Sequence, residues 1–433
     1  MWQTAQVRNQ VSEVFRSRGT SQLSTSALCQ SPQIRYEFKL VTSLPAQPNR
    51  PDKRPPTGAW QPGHALGGRK FHSVVDGRSF QLDCGQPLHK VDLAYETWGR
   101  LNDSASNAVL ICHALTGDSH AAGRAVDGHP VAGWWEPLIG PGLAVNTDEL
   151  FVVCINVLGG CQGSTGPASL DPATGRPYGS SFPVVTIHDM VRTQASLADA
   201  LGVHKWRCVL GGSMGGMQAL EWSIMYRERV GSMVLASATA QASAQQIAWS
   251  HIGRSAIEAD PGFQGGDYYE AGEGNGPHRG LAIARMAAQV TYRTDQVFSE
   301  RFSRRSADPV DFTTTHSFDV ENYLEYQGEK LVDRFDANSY IRLNRSMDFH
   351  DIGRDRGGVA AAFSRVLAPA LVASVTSDTL YPPVQQRLLH QGLLEAGSGS
   401  KWLEIDSPHG HDGFLIETAQ LSSPIAQFLE EHA

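Results

Sequence analysis

The stretch WRCVLGGSMGGMQALEWSIMYRE, residues 206–228, constrains this chain more than any other. It joins an apolar run of strand character (206–212) directly to a run of helix character (214–228) through Gly211, Gly212, Ser213, Met214 and Gly215. A strand can turn straight into a helix only where Cβ atoms are missing from the close approach, and G-x-S-x-G is the spacing that lifts a serine hydroxyl out of the sheet on such a turn. The pattern is short, so its weight comes from its place between a strand and a helix that are read independently of it.

The rest of the chain extends that unit. After about residue 60, short apolar runs alternate with longer helical ones, which is the signature of a mainly parallel sheet with flanking crossover helices. Strands are expected at 91–99, 107–115, 151–159, 206–212, 231–239, 370–378 and 401–407, and helices at 188–201, 214–228 and 384–396. About 130 residues separate the fifth strand from the sixth, where a crossover needs about 30. An inserted helical cap over 241–355 is therefore expected, splitting the α/β core into 58–240 and 356–433 and covering the sheet end where such folds bind ligands.

Composition bounds the partners. Lys plus Arg number 36 against 44 Asp plus Glu, a net charge of -8, which argues against nucleic acid or an anionic membrane as the main partner. Residues 1–58 run the other way, with eight basic and three acidic residues, and the Pro-rich NRPDKRPP run closes them; 1–57 is expected to be a disordered extension. No apolar run reaches the ~18 residues of a membrane span. The six cysteines (29, 84, 112, 154, 161 and 208) form neither a CxxC pair nor a short His/Cys cluster, so no metal is expected and all are read as reduced core thiols of a cytoplasmic protein.

A serine hydroxyl needs a general base, and the base needs a partner that fixes its tautomer. In the chain order Ser, acid, His, the acid is Asp378, at the end of the sixth expected strand, and SPHGHDGFL after the last strand offers both His409 and His411. The oxyanion formed during acyl transfer needs two N–H donors: one follows the nucleophile, at Met214, and the other belongs to the loop His113–Asp118. The chain has neither a dinucleotide G-x-G-x-x-G nor a Walker loop. Trp134 and Trp135 could line a tunnel or simply fill core.

The strings HALTGDSH, GWWEPLIGPG, VLGGCQGSTGPASL, GGSMGGMQALEW, DANSY and SPHGHDGFLIE resemble the homoserine O-acetyltransferase family of α/β hydrolase-fold enzymes, from about Gly58 to the end. The resemblance implies a triad of Ser213, Asp378 and His411, with Leu115 and Met214 as oxyanion donors. It implies that Arg285 and Tyr292, in the segment ARMAAQVTYR, and Asp412 bind homoserine, which suits a zwitterion needing a cation for its carboxylate and an anion for its ammonium. It further implies transfer of the acetyl group of acetyl-CoA to L-homoserine with no other cofactor, and a homodimer joined through the cap helices; succinyl transfer, L-serine as acceptor, or an esterase or thioesterase activity stay open, because the triad is common to all of them. Arg293, Arg301, Arg304 and Arg305 are the cap residues expected to meet the CoA phosphates.

Overall fold

The computed structural model describes residues 53–75, 78–306 and 318–433. Eight strands form one sheet: β1 (Lys70–Ser73), β2 (Asp92–Trp98), β3 (Ala108–Cys112), β4 (Phe151–Ile155), β5 (Cys208–Gly212), β6 (Met233–Ala236), β7 (Ala370–Val375) and β8 (Ser400–Ile405). Their spatial order is β1-β2-β4-β3-β5-β6-β7-β8. The β1–β2 and β2–β4 pairs are antiparallel and every other pair is parallel. This is the expected α/β hydrolase fold.

The central strands β3, β5, β6 and β7 are buried along their whole length, as strands covered on both faces must be. Alternate residues feed two cores. Leu110, Val209 and Leu235 pack with α1 (Ile187–Ala200) and α2 (Met214–Met225) on one face, and Val109, Leu210 and Val234 with the last helix, Thr418–Glu431, on the other. A capping box starts α1, with the Thr186 hydroxyl accepting from the Asp189 N–H while Asp189 accepts from the Thr186 N–H.

Between β6 and β7 the chain runs through α3 (Ala244–Glu258), α4 (His278–Tyr292), α5 (Asp295–Arg301), α6 (Asp319–Val332) and α7 (Ala337–Asp348). A single antiparallel bridge, Gln241 to Asp351, closes the neck of this insertion, and Ala242 N–H donates to the His350 carbonyl at 2.9 Å beside it. A short α8 (Val359–Phe363) leads back to β7, and α9 (Pro383–Glu395) joins β7 to β8.

Strand β1, helix α3 and the short α8 escape a reading of the sequence. Strand β1 is a four-residue, mostly exposed edge strand with no apolar alternation to announce it. Helix α3 buries Gln246, Gly253, Arg254 and Ile257 while Ile247 and Ile252 are exposed, so its apolar residues do not mark its inner face.

Other expectations need correction. Cys112, Cys154, Cys161 and Cys208 are buried free thiols, and burial pushes the Cys208 thiol up to about 12, but Cys84 is exposed in a turn; Cys29 lies outside the described residues. So does most of the expected extension. Its last residues, 53–57, lie against the insertion: Arg54 pairs with Glu329 and with Asp333, and the Thr57 hydroxyl donates to Asp336 at 2.8 Å. Polar anchors in a Pro-rich run carry no apolar period, which is why the sequence puts this boundary too late. Trp135 is core, and Trp134 ties down a loop by donating to the Asp118 carbonyl. No helix among the described residues is long and apolar enough to cross a membrane.

Candidate active site

Strand β5 ends at Gly212 and α2 begins at Met214, so Ser213 alone makes the turn, at φ 56° and ψ −124°. Holding a side-chain-bearing residue there costs of order 1–3 kcal/mol and persists only where the surroundings over-determine it. They do. Ser213 N–H donates to the Ala236 carbonyl at 2.9 Å, and a Cβ added to Gly215 would stand 2.0 Å from the Cys112 carbonyl oxygen. The backbone of β3 thus closes on the start of α2, and the serine side chain is turned out at the carboxyl end of the sheet.

Asp378 lies just past β7, and its carboxylate is fully engaged. One oxygen accepts from the Leu380 and Tyr381 N–H groups at 2.9 and 2.8 Å, and the other accepts from His411 Nδ1 at 2.7 Å. His411 sits in the 3-10 turn Gly410–Asp412 after β8, with Nε2 2.9 Å from Ser213 Oγ. An ionised carboxylate only accepts, so Nδ1 carries the proton and Nε2 is free to accept from the serine hydroxyl. The structure puts His411 in this bridge; His409 points to Glu417, 4.0 Å away. The ring of His411 is fixed by Tyr381 stacked on it at 4.7 Å and by Phe414 edge-on at 5.5 Å.

A cavity of about 60 Å³ opens over Ser213 beneath the insertion, with Leu115, Ala287, Tyr292, Asp348 and Tyr381 among its walls. Asp348, held by Arg254 at 2.7 Å, is the one charged side chain in that lining among the described residues. Among the described residues no acceptor engages the N–H groups of Leu115 and Met214. The loop bearing Leu115 is braced along its length. His113 Nε2 accepts from the Val157 N–H at 3.1 Å and Nδ1 donates to the Ala114 carbonyl at 2.8 Å, while burial holds its pKa down and the ring neutral. Arg334 donates to the Thr116 carbonyl at 2.8 Å.

The far end of this loop meets a cluster that the sequence does not reveal, because its members come from three separate segments. Glu96 accepts from the Ser119 hydroxyl at 2.9 Å, His120 Nδ1 is 3.0 Å from one Glu96 oxygen and His129 Nε2 is 3.0 Å from the other. The three donor sets could suggest a metal site. Their geometry does not. The two imidazoles stack at 4.0 Å with planes 8° apart, and an ion about 2 Å from each nitrogen cannot lie in both of two stacked planes. The cluster is instead a carboxylate clamping two rings, one to each oxygen.

The clamp is pH-sensitive. Burial raises the Glu96 pKa, but the hydrogen bonds and charges of His120 and His129 outweigh it and bring it to about 2; burial lowers the His120 pKa, and Glu96 more than restores it, so it is raised. The Glu96 contribution is present above its ordinary 4.5 and lost as pH falls through about 2. The His120 contribution is complete below its ordinary 6.5 and lost as pH rises through its raised value. Glu96→Gln should therefore cost about 3–5 kcal/mol at pH 5–6, as when one partner of a buried pair is removed. The loss should shrink towards pH 9, as thermal melts in a pH series would show; a difference independent of pH would rule the charge out.

Tyr292 lines the cavity, its ring 5.8 Å from that of His411. Arg285 and Asp412 lie one layer back. The Arg285 guanidinium sits over Tyr292 at 5.6 Å and donates to the amide oxygen of Gln289 at 2.7 and 3.2 Å. Asp412 pairs with Arg293 at 3.0 Å, so Arg293 is engaged where a phosphate contact was expected. Tyr381, which contacts Asp378 and His411 and lines the cavity together with Ser213, carries no signal in the sequence beyond its distance of three residues from Asp378.

Residues 107–418 match the model of the alpha/beta hydrolase fold family. The homoserine O-acetyltransferase of Thermobifida fusca (strain YX) is 50% identical over 377 residues, covering 87% of this chain and 98% of that protein. The chain belongs to the homoserine O-acetyltransferase family. The homoserine O-acetyltransferase of Carboxydothermus hydrogenoformans is 48% identical over 352 residues, covering 81% and 92%. Among solved structures, the homoserine O-acetyltransferase of Bacillus anthracis superposes with a TM-score of 0.77 at 28% identity, covering 83% of this chain and 97% of that one. Esterase E22 superposes equally well, at 0.77 and 28%, covering 83% and 99%. The backbone is thus common to acyl transfer and ester hydrolysis, and the difference between them must lie in the side chains around the serine.

Proposed function

We infer that this chain is a homoserine O-acetyltransferase, moving the acetyl group of acetyl-CoA to the γ-hydroxyl of L-homoserine to give O-acetyl-L-homoserine, an amino-acid intermediate of methionine biosynthesis. The observation that carries the chemistry is His411 bridging Ser213 and Asp378 at 2.9 and 2.7 Å at the floor of a covered cavity. Membership of the family carries the choice of substrates.

The reaction runs in two halves. Ser213 Oγ attacks the thioester carbonyl carbon and gives its proton to His411 Nε2; the C–S bond breaks, the thiolate takes that proton and acetyl-Ser213 remains. The homoserine hydroxyl then gives its proton to His411 as its oxygen attacks, and the C–Oγ bond breaks with the proton returning to Ser213. In each half the carbonyl oxygen becomes an oxyanion, and Leu115 and Met214 N–H are its donors. Removing one such donor typically costs about 100- to 1000-fold in rate. Asp378 holds the imidazole tautomer and stabilises the imidazolium that forms twice per turnover.

Transfer, not hydrolysis, follows from what can reach acetyl-Ser213. The narrow covered cavity keeps bulk water from the acyl-enzyme, while Arg285, Tyr292 and Asp412 position the amino acid alcohol. Asp412 would take the ammonium, exchanging its Arg293 partner for it, and Arg285 the carboxylate. Acetyl is favoured over succinyl because the cavity lining offers a second carboxylate no cation and presents it with Asp348. Arg301 and Arg304, exposed near the end of α5, are the first CoA phosphate contacts of the four arginines expected to serve; Arg305 pairs with Asp319, and Arg293 joins them once Asp412 takes the ammonium. The exposed Ile252, Ile283, Val290 and Tyr326 of α3, α4 and α6 provide the apolar surface for a homodimer joined through the insertion, which sedimentation would detect. A cytoplasmic setting suits the buried free thiols.

The test is turnover of the purified protein with acetyl-CoA and succinyl-CoA, each crossed with L-homoserine and L-serine. Acetyl-CoA with homoserine should give the highest kcat/KM and parallel double-reciprocal lines. The esterase reading, which the E22 superposition raises, predicts instead fast loss of acetyl-CoA without any amino acid acceptor.

A further inference from the structure

Behind the nucleophile elbow, three buried polar side chains from α1 and α2 form a continuous hydrogen-bonded chain. The Trp222 indole N–H donates to Gln194 Oε1 at 2.7 Å, Gln194 Nε2 donates to Gln218 Oε1 at 2.7 Å, and Gln218 Nε2 donates to the carbonyls of His113 and Met214, at 3.2 Å each. The direction of the chain is fixed at both ends. An indole N–H can only donate and a backbone carbonyl can only accept, so each amide between them has one allowed orientation. The surrounding core holds Met190, Met217 and Leu220, and an apolar side chain of the length of Gln218 would fill the same space without desolvating an amide.

The two carbonyls that Gln218 holds belong to the two segments that supply the oxyanion donors. His113 lies two residues before Leu115 on the loop that leaves β3, and Met214 opens α2. We propose that Gln218 is a positioning residue of the oxyanion hole: by holding both carbonyls at once, its amide sets the separation of the Leu115 and Met214 N–H groups. The proposal rests on the acyl-transfer mechanism above and on those two donors.

The other contacts of the two segments leave that separation to Gln218. The peptide carrying the Leu115 N–H ends in the Ala114 carbonyl, which accepts from His113 Nδ1 at 2.8 Å and from the Gly117 N–H at 2.9 Å. These bonds set the tilt of the peptide within its own loop, and neither reaches α2. The Ser213 N–H anchors the elbow to the Ala236 carbonyl of β6, not to the loop. Among the described residues, the Gln218 side chain is the one that hydrogen-bonds to both segments. A donor stabilises the oxyanion only if it is already aimed at the place where that oxygen will lie. The oxyanion forms in both half-reactions, so both depend on the gap.

Gln218→Met nearly keeps the length and volume of the side chain and removes both donated bonds. In a ping-pong scheme kcat/KM for acetyl-CoA reports acylation and kcat/KM for homoserine reports transfer. Both should fall by about 10- to 100-fold, short of the roughly 100- to 1000-fold lost with a whole donor. The isotope-edited infrared carbonyl band of acetyl-Ser213 should move to higher wavenumber, because hydrogen bonds to that oxygen weaken the C=O bond. Trp222→Phe breaks the same chain at its far end while the two carbonyls still hold Gln218, so it should lower the melting temperature and leave both kcat/KM values unchanged. If Gln218→Met is too unstable to purify, Gln218→Asn should show the same kinetic loss: its amide is one methylene too short to span both carbonyls. A folded Gln218 variant with unchanged kcat/KM values and an unchanged carbonyl band, or equal kinetic losses in Trp222→Phe, would overturn the proposal and leave the amides as core packing. Acylation by p-nitrophenyl acetate keeps this test separate from the functional reading. If the ester acylates the wild type and acetyl-CoA does not, the choice of substrate is wrong, yet the ester acylation rate and the carbonyl band still decide the role of Gln218.

Discussion

Replacing Ser213 with alanine should lower kcat by about 10⁵- to 10⁶-fold, the scale seen when the nucleophile of a triad is removed, with the fold intact. The residual rate should equal that of His411→Ala and of the double variant, because groups that act as one unit do not add. The measurement is thiol release from acetyl-CoA in the presence of homoserine, with intact mass spectrometry for the acetyl-enzyme. Acetylation of the alanine variant at another residue would remove Ser213 from the mechanism. Because Ser213 sits at φ 56°, the substitution changes no contact that sets the turn, and alanine meets the same backbone strain as serine. Thermal stability should therefore move by less than about 1 kcal/mol, which separates loss of chemistry from loss of structure.

The second large effect is on folding. Gly215→Ala would set a methyl 2.0 Å from the Cys112 carbonyl oxygen, an atom of the buried strand β3 that cannot swing aside. Relief requires α2 to move off the sheet, and α2 is buried from Met214 to Ile224. The cost should exceed about 4 kcal/mol, the range reserved for overpacking and strain in a core. Soluble yield and the melting temperature report it. Gly253→Ala is the control: in α3 the nearest atoms, on the Tyr340 ring, are 3.4 Å from the new Cβ, and replacing a helical glycine gains up to about 1 kcal/mol. A Gly215→Ala protein that melts with the wild type would mean that the strand and helix do not approach as closely as described.

Much of this architecture is legible in the chain itself. Seven of the strands and the sheet-flanking helices α1, α2 and α9 are visible because buried parallel strands read as apolar runs and crossover helices as amphipathic ones. Strand β1 is invisible for the opposite reason: a short exposed edge strand needs no pattern. Helix α3 is not readable because apolar Ile247 and Ile252 are exposed while polar Gln246 and Arg254 are buried, the reverse of an amphipathic period. The triad positions are readable from motif and order, but choosing His411 over His409 requires a family pattern. Both histidines fit the chain order; the left-handed turn at Gly410, φ 62°, sends one inward and the other towards Glu417.

The sequence by itself determined the elbow, since only glycines at 211 and 215 permit β5 to turn into α2 within one residue. It determined the layer order of the core too, through the spacing of apolar runs. Only the tertiary structure decided what surrounds the nucleophile. Glu96, His120 and His129 form a carboxylate clamp and not a metal site because the fold stacks the two rings in parallel. Arg293 meets Asp412 because α4 ends beside the turn that carries His411. Tyr381 stacks on His411 because β7 and β8 pair in parallel and deliver their ends to the same edge of the sheet. The physical reason is the same in each case. Local sequence sets backbone conformation through sterics and propensity, whereas contacts between residues 24 or more positions apart depend on how whole layers pack.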